Sequence, residues 1–119
     1  MYFKDKEHEE FYNKKIGQVK QKDAYKNNII YLLSSNKETR NNFEEIYSIK
    51  NNTINIYSLK APWQTGTSIN ICRLAFNLFG EMASDNLEEG ASYLYTVSSI
   101  FSNIDINIGI EALKIMYTY

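Results

Sequence analysis

One cysteine, one histidine and one proline are all that this 119-residue chain holds of three residue types that build sites or break chains. A lone Cys72 excludes an internal disulfide and any thiolate metal cluster. A lone His8 excludes a multi-histidine zinc site, so no metal or other cofactor is expected. Arginine is confined to Arg40 and Arg73. No apolar run approaches the roughly 18 residues of a membrane span, and charge begins at Lys4, which does not fit a secretory leader. A cytoplasmic protein with no membrane partner is the expectation. Formal net charge is −1, so no overall field favours nucleic acid, and direct nucleic-acid binding is not expected.

What the chain does hold is Asn, Ile, Lys and Tyr in abundance, including ten tyrosines. Codon usage of an AT-rich genome accounts for that pattern. Tyrosine also supplies large contact area at low entropic cost, which tilts the reading toward a binding role. Charge is uneven along the chain. Residues 1–50 carry ten Lys/Arg against eight Asp/Glu, whereas residues 51–119 carry three against six.

The length fits one globular domain over residues 1–119. Asp5 is placed to cap a first helix reaching Val19, with Phe11, Tyr12, Ile16 and Val19 as its apolar side. Asp23 caps a second through Leu33. Ser35-Asn36-Lys37-Glu38 reads as a capping box opening a third helix to Ser48, whose thin stripe of Phe43, Ile46 and Tyr47 points to an outside position. Thr53–Leu59 partly alternates and reads as a short strand or a connection. The strongest periodicity lies in a fourth helix, from Ser68 to Met82. Ile71, Leu74, Ala75, Leu78 and Met82 share one face, widened by Cys72, Phe76 and Phe79, as in a buried central helix. Residues 83–92 read as an acidic loop. Residues 93–101 fit either a strand that pairs with 53–59 or a short helical turn capped by Thr96. A last helix, Asp105 to Tyr117, offers Ile106, Ile110, Leu113 and Tyr117 as its inner face. The fold class expected is mainly α, a compact domain of five or six helices around a central buried helix with room for one short β pair.

The segment Ala61 to Ser68 places the single Trp, the single Pro and a glycine beside three hydroxyls and an amide at the mouth of the fourth helix. Unpaired N–H groups and partial positive charge make such a mouth a place for an anion or polar ligand. Asn70, Arg73, Asn77 and Glu81 form one polar ridge along that helix, and the Arg73 fork suits two-point contact with a carboxylate or phosphate. The candidate binding residues are therefore Trp63, Gln64, Thr65, Thr67, Ser68, Arg73 and Asn77. The same pattern fits a capped helix with a solvated or ion-paired strip. Thr65-Gly66-Thr67-Ser68 lacks the lysine and spacing of a P-loop. His8 lies among Glu7, Glu9 and Glu10 with no nucleophile tied to it, and reads as a capping or surface residue. No residue set argues for catalysis.

Glu7-His8-x-x-Phe11, Asp23-x-Tyr25, Glu38-Thr39-Arg40, Trp63-Gln64-Thr65-Gly66-Thr67-Ser68 and Arg73-Leu74-Ala75-Phe76-Asn77-Leu78 follow one another in an order that resembles a family of small clostridial and phage-borne proteins, known only as a domain of unknown function. The resemblance supplies no activity. It implies that His8, Tyr25, Arg40, Trp63, Gln64 and Arg73 belong to one shared arrangement. The functional expectation is a non-enzymatic protein that binds a macromolecular partner, a protein in first place, such as a host defence nuclease complex that it inhibits. The alternative is a small-ligand protein that seats a nucleotide or phosphorylated signal at the Trp63–Arg73 segment.

Overall fold

Side-chain caps decide where the helices of this chain begin. In a computed structural model, which describes residues 1–80, 82, 84, 85, 87 and 91–117, the Asp5 carboxylate accepts the His8 N–H at 2.8 Å and opens α1 (Lys6–Ile16). Asp23 accepts the Lys26 N–H at 2.8 Å and opens α2 (Ala24–Ser34). Each cap satisfies a donor that the first helical turn leaves unpaired. Asn36, not Ser35, starts α3 (Lys37–Asn41) by accepting the N–H groups of Glu38 and Thr39 at 3.0 and 3.2 Å. The Ser35 hydroxyl donates instead to the Leu32 carbonyl.

The expected third helix is broken. Asn42 leaves helical geometry at φ −120° and ψ 25°, and a separate turn, α4 (Phe43–Ile46), follows. The backbone then extends into an antiparallel pair, β1 (Tyr47–Ser48) and β2 (Thr53–Ile54), with Tyr47 opposite Ile54 and Ser48 opposite Thr53. The break turns Phe43, Ile46 and Tyr47 inward, where they are 2%, 0% and 1% exposed. Lys37, Asn41, Glu44 and Glu45 of the same segment are exposed, so it lies at the outside with its thin apolar stripe turned in, as expected. Residues 53–59 supply only that short strand before a 3₁₀ turn over Ile56–Lys60, and their partner is β1, not 93–101.

The next helix, α5 (Gly66–Gly80), starts two residues ahead of Ser68. It packs on α2, whose residues Asn28 to Ser34 are all buried, and α2 also meets α1, α3 and α7. The molecule is mainly helical, with α2 and α5 sharing its centre. Half of the loop expected over 83–92, and the ridge residue Glu81, fall outside the described residues. A 3₁₀ turn over Ala91–Tyr95 leads into α6 (Val97–Ile100), capped by Thr96, whose hydroxyl accepts the Ser99 N–H at 3.2 Å.

The last helix, α7 (Ile106–Tyr117), has the expected extent but the opposite orientation. Its buried residues are Ile108, Gly109 and Ala112, whereas Ile106, Ile110, Leu113 and Tyr117 are 56%, 43%, 40% and 56% exposed. The small residues let α7 approach closely, and a Cβ at Gly109 would stand 2.1 Å from Cε1 of Phe101. A strap at the chain start ties the two ends of the sequence together. The Tyr2 N–H donates to Glu111 at 3.1 Å and its hydroxyl to Asp105 at 3.2 Å, while the Tyr31 hydroxyl donates to the Tyr2 carbonyl at 2.7 Å. No helix among the described residues is long and apolar enough to cross a membrane.

Candidate functional site

Two places merit description: the mouth of α5, which the sequence singles out, and an apolar trough beyond it, which the sequence does not. At the mouth, the Ser68 N–H donates to the Thr65 hydroxyl at 3.1 Å and the Thr65 N–H donates to the Ser68 hydroxyl at 2.7 Å. This reciprocal pair is a capping box, which satisfies two backbone donors at once. The Ser68 hydroxyl donates in turn to the Gln64 amide oxygen at 2.6 Å, and the Gln64 amide nitrogen donates to the Ser58 carbonyl at 3.1 Å. Trp63 donates its indole N–H to the Glu45 carboxylate on α4. Trp63, Gln64, Thr65 and Ser68 thus stand together, with their polar groups engaged by one another and by neighbouring elements.

The segment after α6 covers the same mouth. Asn70 donates to the Asn103 side chain at 2.8 Å and to the Ser99 carbonyl at 3.2 Å, and Thr67 reaches the Asn103 carbonyl at 3.4 Å. A Cβ at Gly66 would stand 2.9 Å from the Asn103 amide nitrogen, the movable end of that side chain. Arg73, two turns into the helix, is half-buried, and its Nε has no hydrogen-bond partner among the described residues. Asn77 points away from this group and donates to the Met82 carbonyl at 2.7 Å at the far end of the helix. Of the seven candidate residues, Gln64, Thr65 and Ser68 form one hydrogen-bonded cluster at the entrance. Trp63 and Thr67 stand beside it, bonded to Glu45 and to the Asn103 carbonyl, and Arg73 and Asn77 lie apart.

The residues of the shared arrangement are likewise spread over separate junctions. His8 is fully buried, which corrects its reading as a capping or surface residue. Its Nδ1 accepts the Lys4 N–H at 3.1 Å, which leaves Nε2 to carry the proton and donate to the Tyr31 carbonyl at 3.0 Å. Its ring meets those of Phe3 and Tyr31 at 5.1 and 4.8 Å. Burial holds its pKa below the ordinary imidazole value, so the neutral form is built into the fold. Arg40 donates to the Ser34 carbonyl at 2.9 Å and reaches Glu7 at 3.4 Å, bracing α3 against α2 and α1. Tyr25 is exposed. The Cys72 thiol is fully enclosed and burial pushes it up to about 12, which leaves it without thiolate reactivity. Among the described residues, no group of three or more His, Cys, Asp or Glu side chains is placed to hold a metal ion.

The trough has a volume of about 340 Å³. Leu74, Asn77 and Leu78 of α5 form its floor; Tyr95, Val97, Ile100 and Phe101 form one wall and Ile106, Ile110 and Leu113 of α7 the other. Asn77 and the Tyr95 hydroxyl are the polar groups of this lining. The hydroxyl donates to the buried Asp85 carboxylate at 3.0 Å, so it too is engaged. Val97, at the rim, is 75% exposed. The signal that could have marked this surface is the composition of α7, where only Asn107, Glu111 and Lys114 are polar. A helix so apolar has more hydrophobic surface than one buried face can absorb.

No curated protein and no solved structure matches the chain significantly. A model of the family of unknown function DUF6075 matches residues 1–119. Along its whole length the chain therefore belongs to the family of unknown function DUF6075.

Proposed function

We propose that this is a protein-binding module whose trough, flanked by the outer face of α7, receives the apolar side of an amphipathic helix from another protein. The observation that carries this reading is the exposed stripe Ile106, Ile110, Leu113 and Tyr117. Its spacings of four, three and four residues are those of a helix-pairing seam. The helix is about 18 Å long, enough for three turns of a partner. Charge supports the same occupant. Asp105, Glu111 and Lys114 are the charged side chains between residues 91 and 117, and Asp105 and Glu111 hold the Tyr2 strap. A surface depleted of charge at its centre is the mark of an interface core. A host defence nuclease complex as the partner is the narrower form of this proposal, supported by the tyrosine-rich composition alone.

The test places a photo-crosslinking residue at position 113 and exposes the protein to host lysate. The expected product is a stoichiometric adduct with one protein species, mapped to a helical segment, and lost when Val97 and Ile110 are both replaced by lysine. Adducts formed only between copies of this chain, or adducts that survive the double substitution, would overturn the proposal. The small-ligand reading at the α5 mouth has weaker support, because the hydroxyls of Thr65 and Ser68 already cap the helix.

A further inference from the structure

The lysines of the first half converge in space. A cleft of about 650 Å³ opens where the link after α1, the first turn of α2 and the β1–β2 turn come together, and Lys20, Lys26 and Lys50 each line it from a different one of these segments. The Lys26 ammonium is held in place by the Gln21 carbonyl at 2.8 Å and Asp23 at 3.7 Å. Lys20 and Lys50 form no ion pair with a described residue. Glu44, the one carboxylate of the lining, is paired with Lys15, whose ammonium lies over the Phe43 ring at 4.8 Å. The cleft therefore carries an uncompensated positive charge on two ammonium groups, with a third beside them.

Its remaining walls are rich in carboxamides, from Gln18, Gln21 and Asn52. Asn52 holds the left-handed conformation (φ 53°) that its short polar side chain tolerates, and the Tyr47 hydroxyl donates to its Oδ1 at 2.6 Å. That bond fixes the side chain and leaves its Nδ2 as a donor. Val19 and Ile49 supply the apolar part, and no aromatic ring among the described residues lines the cleft. Ammonium groups bind phosphate as point charges, carboxamides and a carboxylate pair with hydroxyls, and a base would find nothing to stack on. The volume falls within the range of about 300–1,000 Å³ typical of small-molecule sites.

We propose that this cleft is a binding site for a sugar phosphate. The phosphoryl group meets Lys20, Lys26 and Lys50, and the sugar hydroxyls meet the carboxamides and Glu44. This site is independent of the trough. Calorimetric titration with glucose 6-phosphate and ribose 5-phosphate is expected to give saturable one-to-one binding of at least one of them, weakening as salt rises. In a Lys20→Ala/Lys50→Ala double variant, both positions being exposed, the affinity is expected to fall at least tenfold with unchanged thermal unfolding. Inorganic phosphate and AMP serve as comparison arms. Absence of saturable binding by both sugar phosphates, or binding unchanged in the double variant, would overturn the site. Equal affinity for inorganic phosphate, or tighter binding of AMP, would overturn the sugar phosphate as its ligand. A Val97→Lys/Ile110→Lys variant is expected to bind as the wild type does, which keeps this outcome separate from that of the trough.

Discussion

At the scale of single residues, His8 makes the sharpest prediction. Its neutral ring bridges the Lys4 N–H and the Tyr31 carbonyl, and burial depresses its pKa in the folded state. The unfolded chain, with an ordinary imidazole, takes up a proton near pH 6.5 that the folded protein resists. Stability from this group is therefore complete above about pH 6.5 and declines as pH falls toward the depressed folded value, by at most about 1.4 kcal/mol per pH unit. Urea unfolding between pH 5 and 8 is expected to show that decline in the wild type. A His8→Gln variant is expected to be less stable throughout and to lack this component. Gly109 is the second informative residue. A methyl group there displaces the Phe101 ring, which lines the trough. Gly109→Ala is expected to cost about 1–3 kcal/mol, as overpacking does. Aromatic proton shifts should show the Phe101 ring moved.

At the scale of elements, the α5 entrance behaves as a reciprocal lock between Thr65 and Ser68. Thr65→Ala is expected to lower stability by about 1 kcal/mol in urea unfolding, the usual worth of a lost N-cap. The starts of α1 and α2 were legible because Asp5 and Asp23 are capping residues followed by helical periodicity. For 93–101 the pattern leaves strand and Thr96-capped turn open, and the four-residue α6 is too short to show a period. The break in the third helix is less legible, because the capping box and the apolar spacing continue across Asn42, where the backbone leaves helical geometry. The face of α7 was illegible for a different reason. Its larger apolar residues define the more conspicuous stripe, yet Gly109 and Ala112, with little surface of their own, mark the side that packs. Close backbone approach, not side-chain area, settled the orientation.

At the scale of the whole molecule, the two proposed surfaces are built from different thirds of the sequence. The cleft uses residues 18–52 and the trough residues 74–113. The charge asymmetry along the chain pointed to the first, but the meeting of Lys20, Lys26 and Lys50 depends on tertiary contacts that no local pattern encodes. Of the sequence-selected candidates, the cluster from Trp63 to Ser68 was legible as a unit, though its hydrogen bonds are internal. Because Trp63 is the single Trp and donates to Glu45, its fluorescence reports on the α4–α5 junction. Glu45→Ala is expected to shift its emission and to leave binding at either surface unchanged.

The Tyr2 strap sets an order of events during synthesis. Its acceptors, Asp105 and Glu111, lie more than a hundred residues downstream. At ribosomal speeds of about 5–20 residues per second, Tyr2 waits on the order of ten seconds before its seat exists. During that interval the Tyr2 N–H and hydroxyl lack their acceptors, and a chaperone has time to bind there. The docking of Tyr2 on α7 is thus a contact that this domain completes late.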